Sequence, residues 1–277
     1  MLPTERRLAI VDEIRRRPMV RADELSRRFE VSVETVRRDL RALQRDGVLD
    51  RVYGGATPAR HRSSEATFDD RRTQHIGRKR AIARLAVQLI EPGETIVLDV
   101  GTTALEVARA LPETWRGRVL TCSIPVAVEL AGRPRTEVLL SGGRLRAGDL
   151  ALSGPHAQEF FADYYADRAF LGSGGVHPDA GLTDYHPDEV DARRVVVLRA
   201  ERCYVLADSS KLGVIAVRKV CDVDVLTAVL TDGQDNIAAA AALRAAGVEL
   251  ITPVEQLPGP IPLPRPTGAA AWKEHTQ

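Results

Sequence analysis

Between residues 81 and 251 the chain alternates short apolar runs with segments of helical periodicity, and this alternation limits the fold more than any other feature. Six runs predict strands: TIVLDV (95–100), RVLTCS (118–123), EVLLSG (137–142), DRAFLG (167–172), CYVLAD (203–208) and VLTAVLTD (225–232). Helical segments lie between most of them, at 79–90, 103–111, 125–131, 154–162, 187–200 and 235–246, and VELIT adds a last short strand. Strands that are apolar throughout and alternate with helices predict an α/β fold with a mostly parallel sheet covered on both faces.

The first sixty residues have a different pattern, which predicts three short helices and a hairpin. Apolar residues recur with a helical period over 4–17, and Pro18 ends this segment. A second short helix ends near Phe29, and Ser32 is a good N-cap for a third. The third helix has its apolar residues at Val33, Val36, Leu40 and Leu43. The run VLDRVYGG then predicts two strands joined by a turn.

Helical spacing separates the apolar residues of the third helix from an outward face that contains Glu34, Thr35 and four arginines: Arg37, Arg38, Arg41 and Arg45. A short helix, a tight turn and a presented second helix are typical of a helix-turn-helix. Such a helix fits the major groove of DNA, which is about 12 Å wide. Its N-terminal residues then approach base edges and the later arginines meet phosphates, with the hairpin as a wing.

Charge is distributed unevenly along the chain. Residues 1–80 contain 20 Lys and Arg against 13 Asp and Glu, a balance of +7, and the remainder has a balance of −6, which together give the net charge of +1. A basic N-terminal segment on an acidic body suggests a polyanionic partner. The alternative is a small helical domain whose basic face is only solvated. The capped helix, the tight turn, the wing and the regional charge together favour DNA.

The run VRADELSRRFEVSVETVRRDLRALQRDGVLDRVYGGA resembles the winged helix-turn-helix of DeoR-family transcriptional regulators. The resemblance implies a helix-turn-helix over about residues 20–39, with Ser32, Thr35, Arg37 and Arg38 facing DNA and Asp39 holding one arginine by an ion pair. The chain has Tyr53 where the family usually has His before the paired glycines. Arg41 and Arg45 lie further along the helix, and we expect them on backbone phosphates.

Polar or glycine-rich turns follow three of the predicted strands of the α/β region. They are Gly101-Thr102-Thr103, Ser141-Gly142-Gly143-Arg144 and Asp208-Ser209-Ser210-Lys211. Free N–H groups at helix N-termini bind anions, and ligands of parallel α/β sheets bind outside the carboxyl ends of the strands. The three turns together predict a site for a small anion such as phosphate, although glycine and threonine often only cap helices.

The segments LDVGTT, SGGR, DRAFLGSGGV and ADSSKLG are similar to the sensor domain of the same family, so the resemblance covers residues 1 to about 251. It implies a fold related to ribose-5-phosphate isomerase and a phosphorylated sugar as effector, with no cofactor. The residues expected to bind the effector are Asp99, Gly101, Thr102, Thr103, Gly142, Gly143, Arg144, Asp167, Glu189, Arg193 and Lys211.

Three departures and ambiguities qualify this resemblance. The isomerases carry a Gly-Ala-Asp-Glu run where this chain has Ser173-Gly174-Gly175, so the catalytic carboxylate pair is missing. Cys122 replaces a family Asn and removes one expected ligand hydrogen bond. Glu189 and Arg193 lie four residues apart on one helix face, where they line the pocket or form only an i,i+4 ion pair.

These observations predict a winged helix-turn-helix domain at 3–58, a linker at 59–78, an α/β effector-sensing domain at 79–252 and a Pro-rich disordered tail at 253–277. We expect a cytoplasmic transcriptional regulator, a repressor of a carbohydrate catabolic operon, that binds double-stranded operator DNA as a homo-oligomer and is relieved by a phosphorylated metabolite. One alternative is a sugar-phosphate-isomerase-like enzyme with a DNA-binding appendage. Another is a DNA-binding scaffold whose α/β domain only dimerises.

Other sequence features are weaker. No apolar run approaches the roughly 20 residues of a membrane span. Cys122, Cys203 and Cys221 lack metal-ligand spacing and are expected to be reduced thiols. A polar cluster could hold a metal, but a surface loop is the preferred interpretation; it contains His177, Asp179, Asp184, His186 and Asp188.

Overall fold

The structure, a computed structural model, describes residues 3–17, 19–45, 49–52, 54–58, 65, 67–233 and 236–253. The chain divides into two compact units, residues 1–65 and 66–277. This boundary falls inside the predicted linker 59–78. The predicted tail lies outside the described residues except for Pro253, as does Tyr53.

The N-terminal unit contains α1 (Pro3–Arg16), β1 (Val20–Arg21), α2 (Ala22–Phe29), α3 (Val33–Arg45), β2 (Leu49–Val52) and β3 (Gly55–Pro58). The strands form an antiparallel sheet in the order β1-β3-β2. The three predicted helices and the hairpin are confirmed. Strand β1 was not predicted, because two residues are too few to show an alternating pattern.

One apolar core holds the N-terminal unit together. It takes buried side chains from all three helices and from the hairpin, among them Ile10, Leu25, Val36, Leu40 and Leu49. Glu30 ends α2 in a left-handed conformation, φ 52°, and so allows the tight turn into α3. Gly55 is required in β3, since a Cβ there would collide with the carbonyl oxygen of Val20 in β1.

The C-terminal unit is a layered α/β structure. Its helices are α4 (Phe68–Thr73), α5 (Ile76–Leu89), α6 (Thr102–Ala110), α7 (Ile124–Leu130), α8 (Pro155–Ala162), α9 (Pro187–Arg199) and α10 (Ile237–Ala245). Its strands are β4 (Thr95–Leu98), β5 (Gly117–Thr121), β6 (Thr136–Leu140), β7 (Arg144–Arg146), β8 (Ala151–Ser153), β9 (Ala166–Leu171), β10 (Gly175–His177), β11 (Gly181–Asp184), β12 (Ala200–Leu206), β13 (Arg218–Cys221), β14 (Ala228–Leu230) and β15 (Leu250–Ile251).

Seven strands form the central sheet, in the order β15-β14-β12-β9-β4-β5-β6, and all of them are parallel. Successive strand residues point to opposite faces. Ile96 and Leu98 therefore pack with α5, α6 and α7, whereas Val97 packs with α8, α9 and α10. Every predicted strand and helix of this sheet is confirmed, with ends that differ by a few residues.

Three parts of the C-terminal unit were not predicted. Strands β7 and β8 form an antiparallel hairpin over residues 144–153, and β10, β11 and β13 form a small antiparallel sheet. Helix α4 and the start of α5 lie within the predicted linker, where the sequence left a helix open for part of the segment without placing one. These elements are short and rich in charged residues or glycine, so they show neither hydrophobic period clearly.

Candidate DNA-binding face and effector site

Helix α3 begins with a side-chain cap, as the sequence predicted. Ser32 Oγ accepts a hydrogen bond from the backbone N–H of Thr35 at 3.1 Å, and the two hydroxyl oxygens lie 2.9 Å apart. The apolar face turns inward, since Val36 and Leu40 are buried and Val33 packs at the edge of the core. The opposite face of α3 is consequently exposed to solvent.

The predicted DNA-facing arginines lie on this exposed face as far as the structure describes them. Arg37, Arg38 and Arg41 are exposed, and the side chain of Arg45 lies outside the described residues. Glu34 contacts two of them: Arg41 Nη2 donates to Glu34 Oε1 at 2.8 Å, and Arg37 Nη1 lies 3.7 Å from Glu34 Oε2. Glu34 was expected on this face from its helical spacing, with no role predicted for it.

Asp39 has a larger role than the single ion pair predicted for it. Its carboxylate is buried and accepts hydrogen bonds from Arg6 Nε at 2.6 Å and Arg7 Nε at 3.1 Å. Both arginines belong to α1, so Asp39 joins the exposed helix to the N-terminal helix. Because its partners come from α1, it positions α3 and leaves the outward arginines free of its charge.

The predicted effector residues of the first strand end lie at the carboxyl edge of the sheet. Gly101 has φ 116° and precedes α6, and the space where its Cβ would stand is open. Thr102 and Thr103 begin α6 and are buried. The first N–H groups of a helix have no partner within the helix. An anion can therefore approach this backbone closely.

A buried charge cluster lies beside that helix start. Arg193 Nε donates to Asp99 Oδ2 at 2.5 Å, Arg193 Nη1 lies 2.5 Å from Asp184 Oδ2, and Arg193 Nη2 donates to Glu189 at 3.2 Å. Burial would raise the pKa of Asp184, but the charges of Arg193 and Lys211 outweigh it and hold that pKa below its usual range. The i,i+4 ion pair between Glu189 and Arg193 is thus present, within a larger network.

The hairpin β7–β8 is joined to this network by arginine. Arg146 forms ion pairs with Asp149 and with Glu189, and Arg144 pairs with Asp188 at the start of α9. Gly143, φ 125°, precedes β7 and lets β8 pack closely beside it, because a Cβ there would collide with the carbonyl of Ser153 in β8. Arg146 and Asp149 were not among the predicted site residues, since the hairpin itself was not predicted.

Two lysines complete the carboxyl edge. Lys211 lies in the short 3-10 helix Ser209–Lys211 that follows β12, and its Nζ donates to the carbonyl of Ser173. Lys79 of α5 is buried, and its Nζ donates to the carbonyl of Arg71. Burial lowers the pKa of Lys79 to about 8, with Asp208 and Lys211 close enough for their charges to act on it. Lys79 was not among the predicted site residues, and its neighbours Arg78 and Arg80 are typical of an exposed helix face.

One predicted effector residue lies elsewhere. Asp167 stands at the amino end of β9, where its Oδ2 accepts a hydrogen bond from the backbone N–H of Thr95 at 2.7 Å. The carboxyl end of the strand, at Gly172, is roughly 16 Å away at 3.3 Å per residue. The prediction that Asp167 joins the other effector residues is therefore corrected, and Asp167 is removed from the candidate site.

Two further residues singled out in the sequence are Cys122 and His177, expected as a buried reduced thiol and as part of a polar loop. Cys122, the departure from the family Asn, is buried, and burial raises the pKa of its thiol to about 12. His177 closes the turn between β10 and β11, since its Nδ1 accepts from the backbone N–H of Asp179 at 3.1 Å. Among the described residues, no three His, Cys, Asp or Glu side chains are grouped so that they could hold a metal ion. Within the same residues, no helix is long and apolar enough to cross a membrane.

An exposed arginine helix in a winged helix-turn-helix, followed by an α/β unit with a polar edge, defines the class of two-domain transcriptional regulators. Comparison with known proteins identifies the family. Residues 6–61 match the DeoR-like helix-turn-helix domain, and residues 74–233 match the DeoR C-terminal sensor domain. The chain belongs to the DeoR family of DNA-binding transcriptional regulators. That family consists of regulators and not enzymes, so the isomerase-like enzyme hypothesis is rejected.

Three relatives illustrate the similarity. The chain is 34% identical to the HTH-type transcriptional regulator GlpR of Haloferax volcanii, over 91% of this chain and 98% of that protein. It is 32% identical to the putative aga operon transcriptional repressor of Escherichia coli O157:H7, over 90% and 93%. It is 30% identical to the glycerol-3-phosphate regulon repressor of Escherichia coli K12, over 84% and 92%.

Solved structures resemble the chain more distantly. The ribose-5-phosphate isomerase of Methanocaldococcus jannaschii is 21% identical, with 48% of this chain and 52% of that chain covered and a TM-score of 0.36. The probable sor operon regulator of Shigella flexneri is 12% identical, with 61% and 90% covered and a TM-score of 0.40. Likeness at this level has no bearing on function.

Proposed function

We propose that the protein represses a carbohydrate catabolic operon and that a phosphorylated sugar, or a related phosphorylated metabolite, releases it from operator DNA. The names of two relatives support the proposal, since one is named a putative aga operon transcriptional repressor and the other a glycerol-3-phosphate regulon repressor. Glycerol 3-phosphate is a small phosphorylated polyol, the kind of ligand that combines an anion with hydroxyl groups.

One observation carries the effector proposal: an open helix start and two lysines lie at the same edge of the sheet. Gly101 leaves room beside the first N–H groups of α6, and Lys79 and Lys211 lie close to each other. Helix N-termini attract anions by their free N–H groups and by the helix dipole. A phosphate group bound there would also receive the positive charge of the lysines.

The neighbouring groups suit the uncharged part of such a ligand. Asp99, Asp184 and Glu189 offer carboxylate oxygens beside the helix start, and Arg193 holds all three in place. The hydroxyl of Ser141, at the carboxyl end of β6, is buried and has no hydrogen-bond partner within the described residues. Buried polar groups are nearly always paired, so a sugar hydroxyl would complete this one.

Release from DNA requires that the effector bind the DNA-free and DNA-bound states with different affinity. We propose a homo-oligomer as the binding form, because two helix-turn-helix units can then read two half-sites about 34 Å apart. Titration of the purified chain with the DNA upstream of its own operon, followed by fluorescence anisotropy over a salt series, tests this part. Equal affinity for a scrambled duplex would contradict a specific repressor.

The effector is tested by calorimetry with a panel of sugar phosphates and the matching unphosphorylated sugars. We expect binding of at least one phosphorylated compound, none of its unphosphorylated counterpart, and at least tenfold weaker binding by Lys211→Ala. The control is Lys219→Ala, because Lys219 lies in β13 on an exposed ion pair with Asp222. Equal binding by wild type and Lys211→Ala, or no binding of any compound, would remove this site from the proposal.

A further inference from the structure

The carboxylate of Glu34 connects two of the arginines on the outward face of α3. Arg41 donates to one carboxylate oxygen at 2.8 Å, and Arg37 lies 3.7 Å from the other. All three side chains are at least half exposed. Ion pairs of this kind are weak in water, so groups on a DNA surface can replace either partner.

Glu34 is the acidic residue of this face. Helix α3 contains two acidic residues, and the other, Asp39, is buried against arginines of α1. Glu34 also lies in the first turn of the helix, next to the capping Ser32 and Thr35. The first turn of a recognition helix is the part that approaches base edges in the major groove.

A carboxylate at this position restricts which base pair the helix accepts. It is repelled by phosphates, and it needs a hydrogen-bond donor once its arginines turn to DNA. In the major groove the amino group of cytosine is such a donor, while the paired guanine offers two acceptors to an arginine. A single G·C pair can therefore satisfy both Glu34 and one of the arginines that it holds.

We propose that Glu34 is a specificity-determining residue, which accepts a hydrogen bond from a cytosine amino group and releases Arg37 and Arg41 to DNA only at a matching sequence. On other sequences the carboxylate keeps its arginines or faces phosphates and base acceptors without a donor. Glu34 thereby weakens nonspecific binding and selects one base pair of the operator. The inference rests on DNA binding by α3.

The test begins with the full-length wild-type protein, which selects its preferred duplex from a randomised library. Affinities for that duplex, for each of its single-base-pair variants and for a scrambled duplex are then measured with wild type and Glu34→Gln. We expect Glu34→Gln to lose at least about fivefold discrimination at one G·C pair. We also expect it to bind the scrambled duplex more tightly, with a salt slope steeper by about one.

The matched control is Glu30→Gln, which removes the same charge just before α3. Glu30 is exposed and has no ion pair within the described residues. A uniform change on all duplexes with both variants would overturn the proposal, because it would reduce Glu34 to a general charge effect. A wild type that selects no duplex would instead contradict sequence-specific DNA binding.

A double variant distinguishes action through the arginine from action on the base alone. If Glu34 withholds Arg41 from phosphates, Glu34→Gln will tighten binding to the scrambled duplex less when Arg41→Gln is already present. The part that remains comes from Arg37 and from the lost repulsion between the carboxylate and phosphates. The loss of selectivity at the G·C pair will remain, because it depends on the carboxylate. Independent effects on the scrambled duplex would contradict the role assigned to Arg41.

Discussion

Arginine has opposite environments in the two units, although in both a glutamate precedes it by about one helical turn. Arg37 follows Glu34 by three residues in α3, and Arg193 follows Glu189 by four residues in α9. The side chain of Arg37 is 55% exposed and that of Arg193 is 4% exposed. The exposed arginine is available to a polyanion, whereas the buried one must be compensated where it lies. Burial, and not residue spacing, separates a binding group from a positioning group.

The largest effect is expected where the buried arginine is removed. Arg193→Met leaves Asp99, Asp184 and Glu189 close together without their shared cation, so we expect a loss of about 3–5 kcal/mol of stability. Urea unfolding followed by tryptophan fluorescence measures it, since Trp115 is buried in the core of the C-terminal unit and the sequence of the N-terminal unit contains no tryptophan. The neighbouring Arg194→Met is the control, and we expect it to cost less than about 1 kcal/mol because Arg194 is part-exposed.

The N-terminal unit contains one site that behaves like the buried arginine. Asp39→Asn leaves Arg6 buried without its counter-charge, and we expect the unit to lose about 2–4 kcal/mol. Hydrogen exchange of the α1 and α3 amides measures this loss, and DNA affinity should fall with it. Asp23→Asn removes an exposed pair with Arg21 and serves as the control. Unchanged exchange in Asp39→Asn would mean that α1 does not depend on this carboxylate.

The sequence predicts the fold well where burial imposes a strong period. Each strand of the parallel sheet is apolar throughout, and the alternation of strands and helices leaves few topologies open. The hairpin β7–β8 and the small sheet β10-β11-β13 escape prediction because their strands have three or four residues and rest on specific partners. Such elements are set by tertiary contacts and not by local pattern.

The sites are predicted less completely, for a physical reason. Strand ends of a parallel sheet meet at one edge, so Gly101 and Lys211 could be placed together from topology alone. The sequence cannot reveal which charged side chains become buried partners. Arg146 and Lys79 look like surface residues in the sequence. Asp167 was included through the resemblance, although the predicted strand 167–172 already has it at the amino end, where the structure places it.

Lys79 is a buried cation of the C-terminal unit, and its lowered pKa makes the stability of that unit depend on pH. Its folded pKa is about 8, below the ordinary value of 10.5, so between these values the unfolded chain binds the extra proton. Stability contributed through Lys79 therefore rises as pH increases from 8 to 10.5, by about 1–3 kcal/mol. The measurement compares wild type with Lys79→Met over this range. The buried thiols have raised pKa values, so their contribution to stability falls as pH rises. They are present in wild type and in Lys79→Met alike, and the difference in unfolding free energy between the two proteins therefore reports Lys79 alone.

The smallest effect on DNA binding is expected at the end of α3, where the position of Arg45 in the sequence predicts a contact with backbone phosphate. Arg45 is the last residue of the helix, far from the first turn that approaches base edges. Arg45→Ala should weaken binding to every duplex by the same factor and flatten the salt slope by about one, so that its disadvantage shrinks about three- to fourfold between 50 and 200 mM salt. Arg38→Ala, on the exposed face nearer the helix start, should instead lose affinity selectively for the preferred duplex. Sequence-selective loss in Arg45→Ala would show that the helix enters the groove by its C-terminal half, and the role proposed for Glu34 would then fail with it.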